Sequence, residues 1–357
     1  MTAPVMILAG GTGGHVFPGL AVAEALRQRG VPVVWLGGMQ GIEQSLVPAR
    51  GIELHRLPFG GVRGKGVATL LAAPWRLLRA VFAALRLMRR LAPRSVISFG
   101  GYAAAPGGIA AWLLRRPLLV HEANRVPGTT NRLLSRLSRR VLAGFPGTPG
   151  LGAGIEVTGN PVRAEIAAIA PPEQRLADRL EAMRLLVLGG SQGARSLNKG
   201  VPAAISVSSP AKWQVRHQSG RNNAVAVRDA YAAAGVDATV SEFIDDMAEA
   251  YAWADLAICR AGALTLAEIT SAGLPSILVP FPHAVDDHQT ENARFLAEAG
   301  AAEMLADDEA LVSHLSDALK RAHGDRSALL ATARRARSLS RPDATARIAD
   351  LCLECAA

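Results

Sequence analysis

The chain has 357 residues, half of them hydrophobic and 19% charged, enough apolar material for a large core and enough length for two domains. The net charge of +9 is uneven: residues 1–155 hold 19 Lys and Arg against 4 Asp and Glu, net +15, and residues 156–357 hold 20 against 26, net −6. Aromatic residues are only 4% and no stacking platform or basic recognition motif occurs, which argues against nucleic acid as the partner; three cysteines argue against a disulfide framework and fit a reducing cytoplasm.

Val5 to Ala9 reads as a strand that runs into "GGTGGH" and then an amphipathic helix. Gly10, Gly11, Gly13 and Gly14 remove side chains where the chain leaves the strand, so amides and the positive helix end lie open to an anion, with phosphate the expected guest. The first 23 residues carry no charge, yet no basic segment precedes them and the glycines break the apolar run, so a signal peptide is not expected. Pro32 to Leu36 is the next strand; it ends at Gly37 and Gly38, where a dinucleotide site would place an acid on the ribose. That absence and the departure from G-x-G-x-x-G argue against a nicotinamide enzyme. No glycine loop carries Gly-Lys-Ser/Thr and the chain holds no Asp-x-Asp, so the nucleotide diphosphate is expected to be held without an obligatory metal or other cofactor.

No acidic residue occurs from Leu54 to His121, a stretch with eleven Lys and Arg. Arg63 and Lys65 form a basic loop in "GGVRGKG". After Trp75, residues Arg76, Arg79, Arg86 and Arg90 share one helical stripe flanked by Leu77, Leu78, Val81, Phe82 and Leu85. Such a face suits an anionic membrane surface, apolar side chains dipping among headgroups while arginines pair with phosphates; a core helix with a solvated basic face fits the same pattern. Strands follow at Ser95 to Phe99, Leu118 to His121 and Arg140 to Ala143; residues 95–114 are uncharged, but paired glycines and Pro106 divide them into strand, turn and helix.

"TGNPVR" at 158–163 interrupts the pattern and divides the chain into 1–159 and 160–339. A second strand series runs through Arg184 to Leu188, Gln214 to His217, Thr239 to Glu242, Leu256 to Cys259 and Ser276 to Val279. Its opening, "LLVLGGSQGARSLN", repeats the first device, which predicts a duplicated α/β architecture of two doubly wound parallel sheets with a cleft lined by both glycine loops. From Gly262 a third helix can open toward a diphosphate, with Glu268 one turn after Thr265 and in reach of ribose hydroxyls; an ordinary capped helix with a surface Glu is the bland reading. "PFPHAVDDHQTEN" adds Gln289, Asn292 and two Asp in a polar loop. A closing helix from about Asp343 to Cys355, within 340–357, packs back on either domain; its C-x-x-C has no second ligand pair and is read as structural.

"GGTGGH", "HEAN", "VTGNPVR", "GGSQGARSLN" and "GALTLAEITSAGLPSILVPFPHAVDDHQTENA" together resemble the MurG family of peptidoglycan glycosyltransferases, in order and over nearly the whole chain. The resemblance implies a GT-B fold of two Rossmann-like domains facing a central cleft, with an acceptor- and membrane-binding N-terminal domain and a UDP-sugar-binding C-terminal one. It implies inverting transfer of N-acetylglucosamine from UDP-GlcNAc to the 4-hydroxyl of the muramyl-pentapeptide pyrophosphoryl-undecaprenol lipid, at the cytoplasmic face of the bacterial inner membrane, with cell-wall synthesis proteins as partners. The donor contacts it implies are Thr12, Gly13, Gly14, Asn124, Arg163, Ser191, the Ile244 backbone toward uracil, Ala263, Leu264, Thr265, Leu266, Ala267 and Glu268 around diphosphate and ribose, and Gln289 at the sugar. His288, Ala261 and Ala123 stand where the family usually has Gln, Ser and Gln, and these bear on the finer sugar contacts.

Inverting transfer needs a base at the acceptor hydroxyl and positive potential at the departing diphosphate. His15 ends the first glycine loop and is the candidate base, with phosphate binding or helix capping as its other reading; His121 and Glu122 are second choices. Helix N-termini near 14, 193 and 263, with Arg163, are expected to steady the leaving UDP. A related transferase with another acceptor, an oxidoreductase on the same fold and a noncatalytic membrane module are the competing readings.

Overall fold

The structure, a computed structural model, describes residues 3–60, 67–176, 182–190, 192–208 and 213–355, with the side chains of the helix that begins at Val67 described from Ala72 onward. The chain forms two compact units, Met1–Val162 with Arg341–Ala357, and Arg163–Ser340.

The first unit runs β1 (Val5–Ala9), α1 (Gly13–Gln28), β2 (Val33–Gly37), α2 (Glu43–Ala49), β3 (Glu53–Arg56), α3 (Val67–Leu91), β4 (Ser95–Gly100), α4 (Ala104–Leu113), β5 (Leu118–Glu122), α5 (Thr129–Ser135), β6 (Arg140–Ala143) and β7 (Ile155–Val157). Seven strands pair in the order β3-β2-β1-β4-β5-β6-β7, all parallel. β1 is the run VMILA with every residue buried, because helices cover both faces of a parallel sheet and leave no solvated side. Strand order reverses between β1 and β4, so the loops after these two strands share one crevice, the usual ligand position in such sheets. Close approach explains the glycines there: Gly101 has φ +89, and a Cβ on it would lie 2.3 Å from the Gly10 carbonyl oxygen.

The second unit runs α6 (Ala164–Ala167), α7 (Pro172–Leu176), β8 (Met183–Leu188), α8 (Arg195–Ser208), β9 (Trp213–Gln218), α9 (Ala224–Ala233), β10 (Asp237–Ser241), α10 (Met247–Trp253), β11 (Leu256–Cys259), α11 (Ala263–Ala272), β12 (Ser276–Leu278), α12 (His288–Glu298), β13 (Glu303–Met304), α13 (Leu311–Gly324) and α14 (Arg326–Ser338). Its six parallel strands lie in the order β10-β9-β8-β11-β12-β13. The switch point falls between β8 and β11, where Leu188 pairs with Cys259, so the second glycine loop and the start of α11 leave the sheet side by side.

The chain ends in α15 (Ala344–Glu354), which belongs to the first unit. Ile348, Leu351 and Cys352 are fully buried with Val16, Leu20 and Ala23 of α1, and Ser95 Oγ donates to the Cys352 carbonyl at 2.7 Å. Burial pushes the Cys352 thiol up, which disfavours thiolate chemistry in the C-x-x-C. Sequence patterning leaves out β3, β7 and β13. Each closes a sheet edge with a half-exposed sequence such as ELHR, IEV or EM, so none carries the apolar run that buried strands require.

Candidate functional site

In the second unit, α11 is preceded by the extended Gly262, which has φ −68 and ψ 134 and gives no side-chain cap. The first intrahelical bond runs from the Leu266 amide to the Gly262 carbonyl at 3.0 Å, so the amides of Ala263, Leu264 and Thr265 point out of the helix end with its positive dipole. Leu266 is 1% exposed and faces the core. The loop after β8 is pulled tight by a bond from the Gly193 amide to the Gly190 carbonyl at 3.0 Å, with φ +74 and +76 at these glycines. α8 begins at Arg195, two residues beyond the expected start at 193. Ser191 lies outside the described residues.

Glu268, expected as a ribose ligand or a surface group, is partly buried and already engaged. Its Oε1 accepts from Arg163 Nη2 at 2.9 Å and Nε at 3.3 Å, and its Oε2 accepts from the Tyr251 hydroxyl at 2.9 Å. Tyr251 is buried; burial first, and the Glu268 charge second, push its phenol well above the usual range, so it stays a neutral donor. A carboxylate offers about four acceptor positions, and three are filled, leaving one on Oε2. Arg175 fixes this arrangement by donating to the carbonyls of Tyr251 and Ala254 at the end of α10 and of Ala272 and Gly273 at the end of α11. Ile244 lies half-buried in the segment between β10 and α10.

The segment after β12 places Asp286 and Asp287 at φ +54 and +51 ahead of α12. Gln289 lies at the start of α12, where its Oε1 accepts from the Phe281 amide at 3.0 Å and its amide nitrogen keeps its two donors. Asn292 corrects the expectation of a polar loop residue: it is fully buried and donates to the Ala261 carbonyl at 3.2 Å. An unexpected cluster stands beside it. Arg260 donates to the carbonyls of Val279 and Pro280 and to Ser196 Oγ at 2.9 Å, and pairs with Asp307 at 2.8 Å. Ser196 in turn donates to Asp307 at 2.9 Å, so α8 is tied to the ends of β11 and β12.

In the first unit, Thr12 is the extended residue before α1; its carbonyl accepts from the amides of His15 and Val16, and its Oγ1 lies 3.4 Å from His15 Nδ1. The amides of Gly13 and Gly14 are the ones left at the helix end. Gly11 departs from the expectation of a bare loop: its amide donates to Glu43 Oε2 at 2.9 Å. The His15 imidazole lies against the Gly100 backbone, where an added Cβ would approach its Nε2 to 3.1 Å. Glu122 is committed to structure, accepting from the amides of Asn124 and Gly128 and from Asn131 Nδ2 at 2.9–3.0 Å, and this corrects its place as an alternative base. Asn124 thus sits on a fixed turn.

His121 is also corrected as a base: it is fully buried, its Nε2 bonds the Gly159 carbonyl at 3.0 Å, and burial lowers its pKa to about 4. An unfolded His titrates near 6.5. Below pH 6.5 the unfolded chain therefore takes a proton that the folded chain refuses; the stability is fully present above 6.5 and is lost as pH falls through about 4. His121→Gln is expected to flatten the pH dependence of the unfolding free energy between these values by about 1.4 kcal/mol per pH unit, measured as denaturation midpoints across the window.

On α3, Trp75, Arg76, Leu78, Arg79, Phe82, Arg86, Arg89 and Arg90 are exposed, Trp75 by 64% and Phe82 by 59%. Ala80, Val81, Ala84 and Met88 are buried, and Leu77 and Leu85 are half-buried, so Val81 supports the core rather than flanking the basic stripe. Arg63 and Lys65 lie outside the described residues. α4, packed against α3, adds Trp112 and Leu113, each about half exposed, which the sequence reading passed over. No helix among the described residues is long and apolar enough to cross a membrane, and no group of three or more His, Cys, Asp or Glu among them could hold a metal ion.

Comparison with known proteins gives consistent results. Residues 5–143 match the glycosyltransferase family 28 N-terminal domain and residues 184–348 the family 28 C-terminal domain. A UDP-N-acetylglucosamine--N-acetylmuramyl-(pentapeptide) pyrophosphoryl-undecaprenol N-acetylglucosamine transferase of Xanthomonas euvesicatoria is 56% identical over 99% of the chain and 81% of its own length. The protein of that name from Xylella fastidiosa is 55% identical over 98% and 96%. The crystal structure of Acinetobacter baumannii MurG superposes with a TM-score of 0.88 at 40% identity, covering 99% of this chain and all of that one.

Proposed function

The chain belongs to glycosyltransferase family 28 and, within it, to the MurG enzymes of GT-B fold, and from that premise we propose which of its residues hold the donor, the acceptor and the membrane. It is an N-acetylglucosaminyltransferase that uses UDP-GlcNAc as donor and the muramyl-pentapeptide pyrophosphoryl-undecaprenol lipid as acceptor in peptidoglycan synthesis.

The donor is assigned chiefly to residues 163–340 and the acceptor to the first unit. The observation that carries the donor assignment is the start of α11, where three unpaired amides and the Glu268–Arg163–Tyr251 cluster stand one helical turn apart. The diphosphate lies on the Ala263, Leu264 and Thr265 amides and on the loop that contains Ser191; the remaining acceptor position of Glu268 takes a ribose hydroxyl. Ile244 meets the uracil through its backbone, and Gln289 donates its amide hydrogens to the sugar. Asn124, Thr12, Gly13 and Gly14 are assigned to the donor as well. His15 removes the proton of the acceptor 4-hydroxyl as its oxygen bonds to the anomeric carbon and the bond to the diphosphate breaks, inverting the configuration to a β-1,4 linkage. The leaving charge is steadied by helix ends and Arg163, with no obligatory metal.

The membrane reading rests on two aromatics, Trp75 and Phe82, exposed amid five exposed arginines of α3. An aromatic-and-arginine face of this kind suits anionic headgroups, and we assign Arg63 and Lys65 to the acceptor pyrophosphate and the chain to a peripheral position at the cytoplasmic face of the inner membrane, beside other cell-wall synthesis proteins. UDP release measured with the lipid acceptor in anionic vesicles and with a diacylglycerol acceptor tests the whole reading, with turnover expected only on the former. Arg79→Glu combined with Arg86→Glu is expected to lower turnover on vesicles about tenfold or more, each reversed charge losing about 1 kcal/mol or more near the surface, and to spare turnover on a short-chain soluble acceptor. Equal loss on both acceptors would contradict the membrane assignment.

A further inference from the structure

Glu43 is fully buried at the start of α2, six residues past the end of β2. Two backbone amides hold its carboxylate: Gly11 donates to Oε2 at 2.9 Å and Gly38 to Oε1 at 3.2 Å. The surrounding glycines are shaped to it. An added Cβ would lie 2.7 Å from Oε1 at Gly10 and 2.2 Å from Oε2 at Gly41, which also has φ +126. Further bonds brace the same segment, from the Ile42 amide to the Gly11 carbonyl at 3.5 Å and from Gln44 Nε2 to the Gly38 carbonyl at 2.6 Å. In related open sheets an acid after the second strand reaches outward to a ribose; here the acid is turned inward and its oxygens are spent on the loop itself.

We propose that Glu43 is a positioning residue for the transfer reaction: it clamps Gly10–Thr12 so that the Gly13 and Gly14 amides and the His15 imidazole are held in one orientation, and its charge keeps an anion off the Gly11 amide. A buried carboxylate bonded to amides is a strong and directional support. It divides the four glycines by task. Gly10 and Gly11 accommodate and bond the carboxylate, and Gly13 and Gly14 form the open end of α1. The inference rests on the reading of His15 as the base.

The test is a double-mutant cycle in the full-length enzyme with Glu43→Gln, His15→Ala and both together, reading kcat on the lipid acceptor, UDP affinity and the unfolding midpoint. Gln keeps the shape but turns an amide NH₂ toward one of the two donors, so the loop loses one support. Glu43→Gln is expected to lower kcat by about 10- to 100-fold, the scale on which a misplacement of about 1 Å acts, with a smaller loss of UDP affinity, about threefold, through the Gly13 and Gly14 amides. In the His15→Ala background the same substitution is expected to cost almost nothing more. Gly41→Ala, which pushes on the carboxylate from the other side, should reproduce the kcat loss. Unchanged kcat in Glu43→Gln, or fully additive losses in the double variant, overturns the proposal; so does loss of folding and of UDP binding in both Glu43→Gln and Gly41→Ala, which assigns the residue to stability alone. Retained kcat in His15→Ala overturns the base reading and this proposal with it, and is told apart from failure of the clamp by the kcat of Glu43→Gln alone.

Discussion

His15→Ala is expected to lower kcat by about two to four orders of magnitude while leaving the KM for UDP-GlcNAc within a few fold, the range that a positioned general base contributes. An imidazole is suited to proton transfer near neutral pH, and the surroundings of His15 fix it: Nδ1 lies 3.4 Å from Thr12 Oγ1 and the ring rests on the Gly100 backbone, where an added Cβ would crowd it at 3.0 Å. Its competitors are committed to structure. His121 is wholly buried and bonded to the Gly159 carbonyl, and both oxygens of Glu122 serve backbone and Asn131 donors, so neither can meet a hydroxyl without dismantling its own support. Steady-state kinetics across donor and acceptor concentrations separate the outcomes. A loss confined to donor KM would make His15 a phosphate ligand, since a base acts on the chemical step and a ligand on binding.

The fold was legible where burial writes itself into sequence. VMILA and MRLLVL, buried on both faces, read as strands from composition alone, and the repeated strand, glycine loop and helix announced two sheets of one design. The edge strands β3, β7 and β13 did not, because half-exposed segments carry no such pattern, whereas the edge strand β10 was legible at Thr239 to Glu242. The site was legible in part for a similar reason. Spacing along one helix places Glu268 a turn after Thr265, but the partners that hold it, Tyr251 and Arg163, come from other elements and leave no periodic trace. The four glycines after β1 suggested one task, open amides, whereas Gly10 makes room for the Glu43 carboxylate and the Gly11 amide is bonded to it, more than thirty residues away in sequence. Asn292 looked like a loop residue for lack of any local sign that Ala261 would close over it.

Glu268→Gln is expected to raise the KM for UDP-GlcNAc about 5- to 10-fold with kcat changed far less, because the ribose bond passes from a charged to a neutral acceptor, a difference of about 1 kcal/mol or more, and is formed equally in ground and transition states. The neutral amide can still accept from the Tyr251 hydroxyl, so the buried phenol keeps a partner, but the other end of the side chain then meets the Arg163 guanidinium with N–H facing N–H. Arg163 is thereby released from its ion pair, and its substitution by Ala should show strong non-additivity with Glu268→Gln in donor affinity. Tyr251→Phe separates orientation from charge: it removes one support from Oε2 and keeps the carboxylate, so a few-fold rise in donor KM is the expected result. Isothermal titration with UDP and with UDP-GlcNAc locates the loss. If the ribose bond is the cause, both ligands weaken by the same factor in Glu268→Gln; a loss seen only with the sugar nucleotide would move this carboxylate to the sugar and away from the nucleoside.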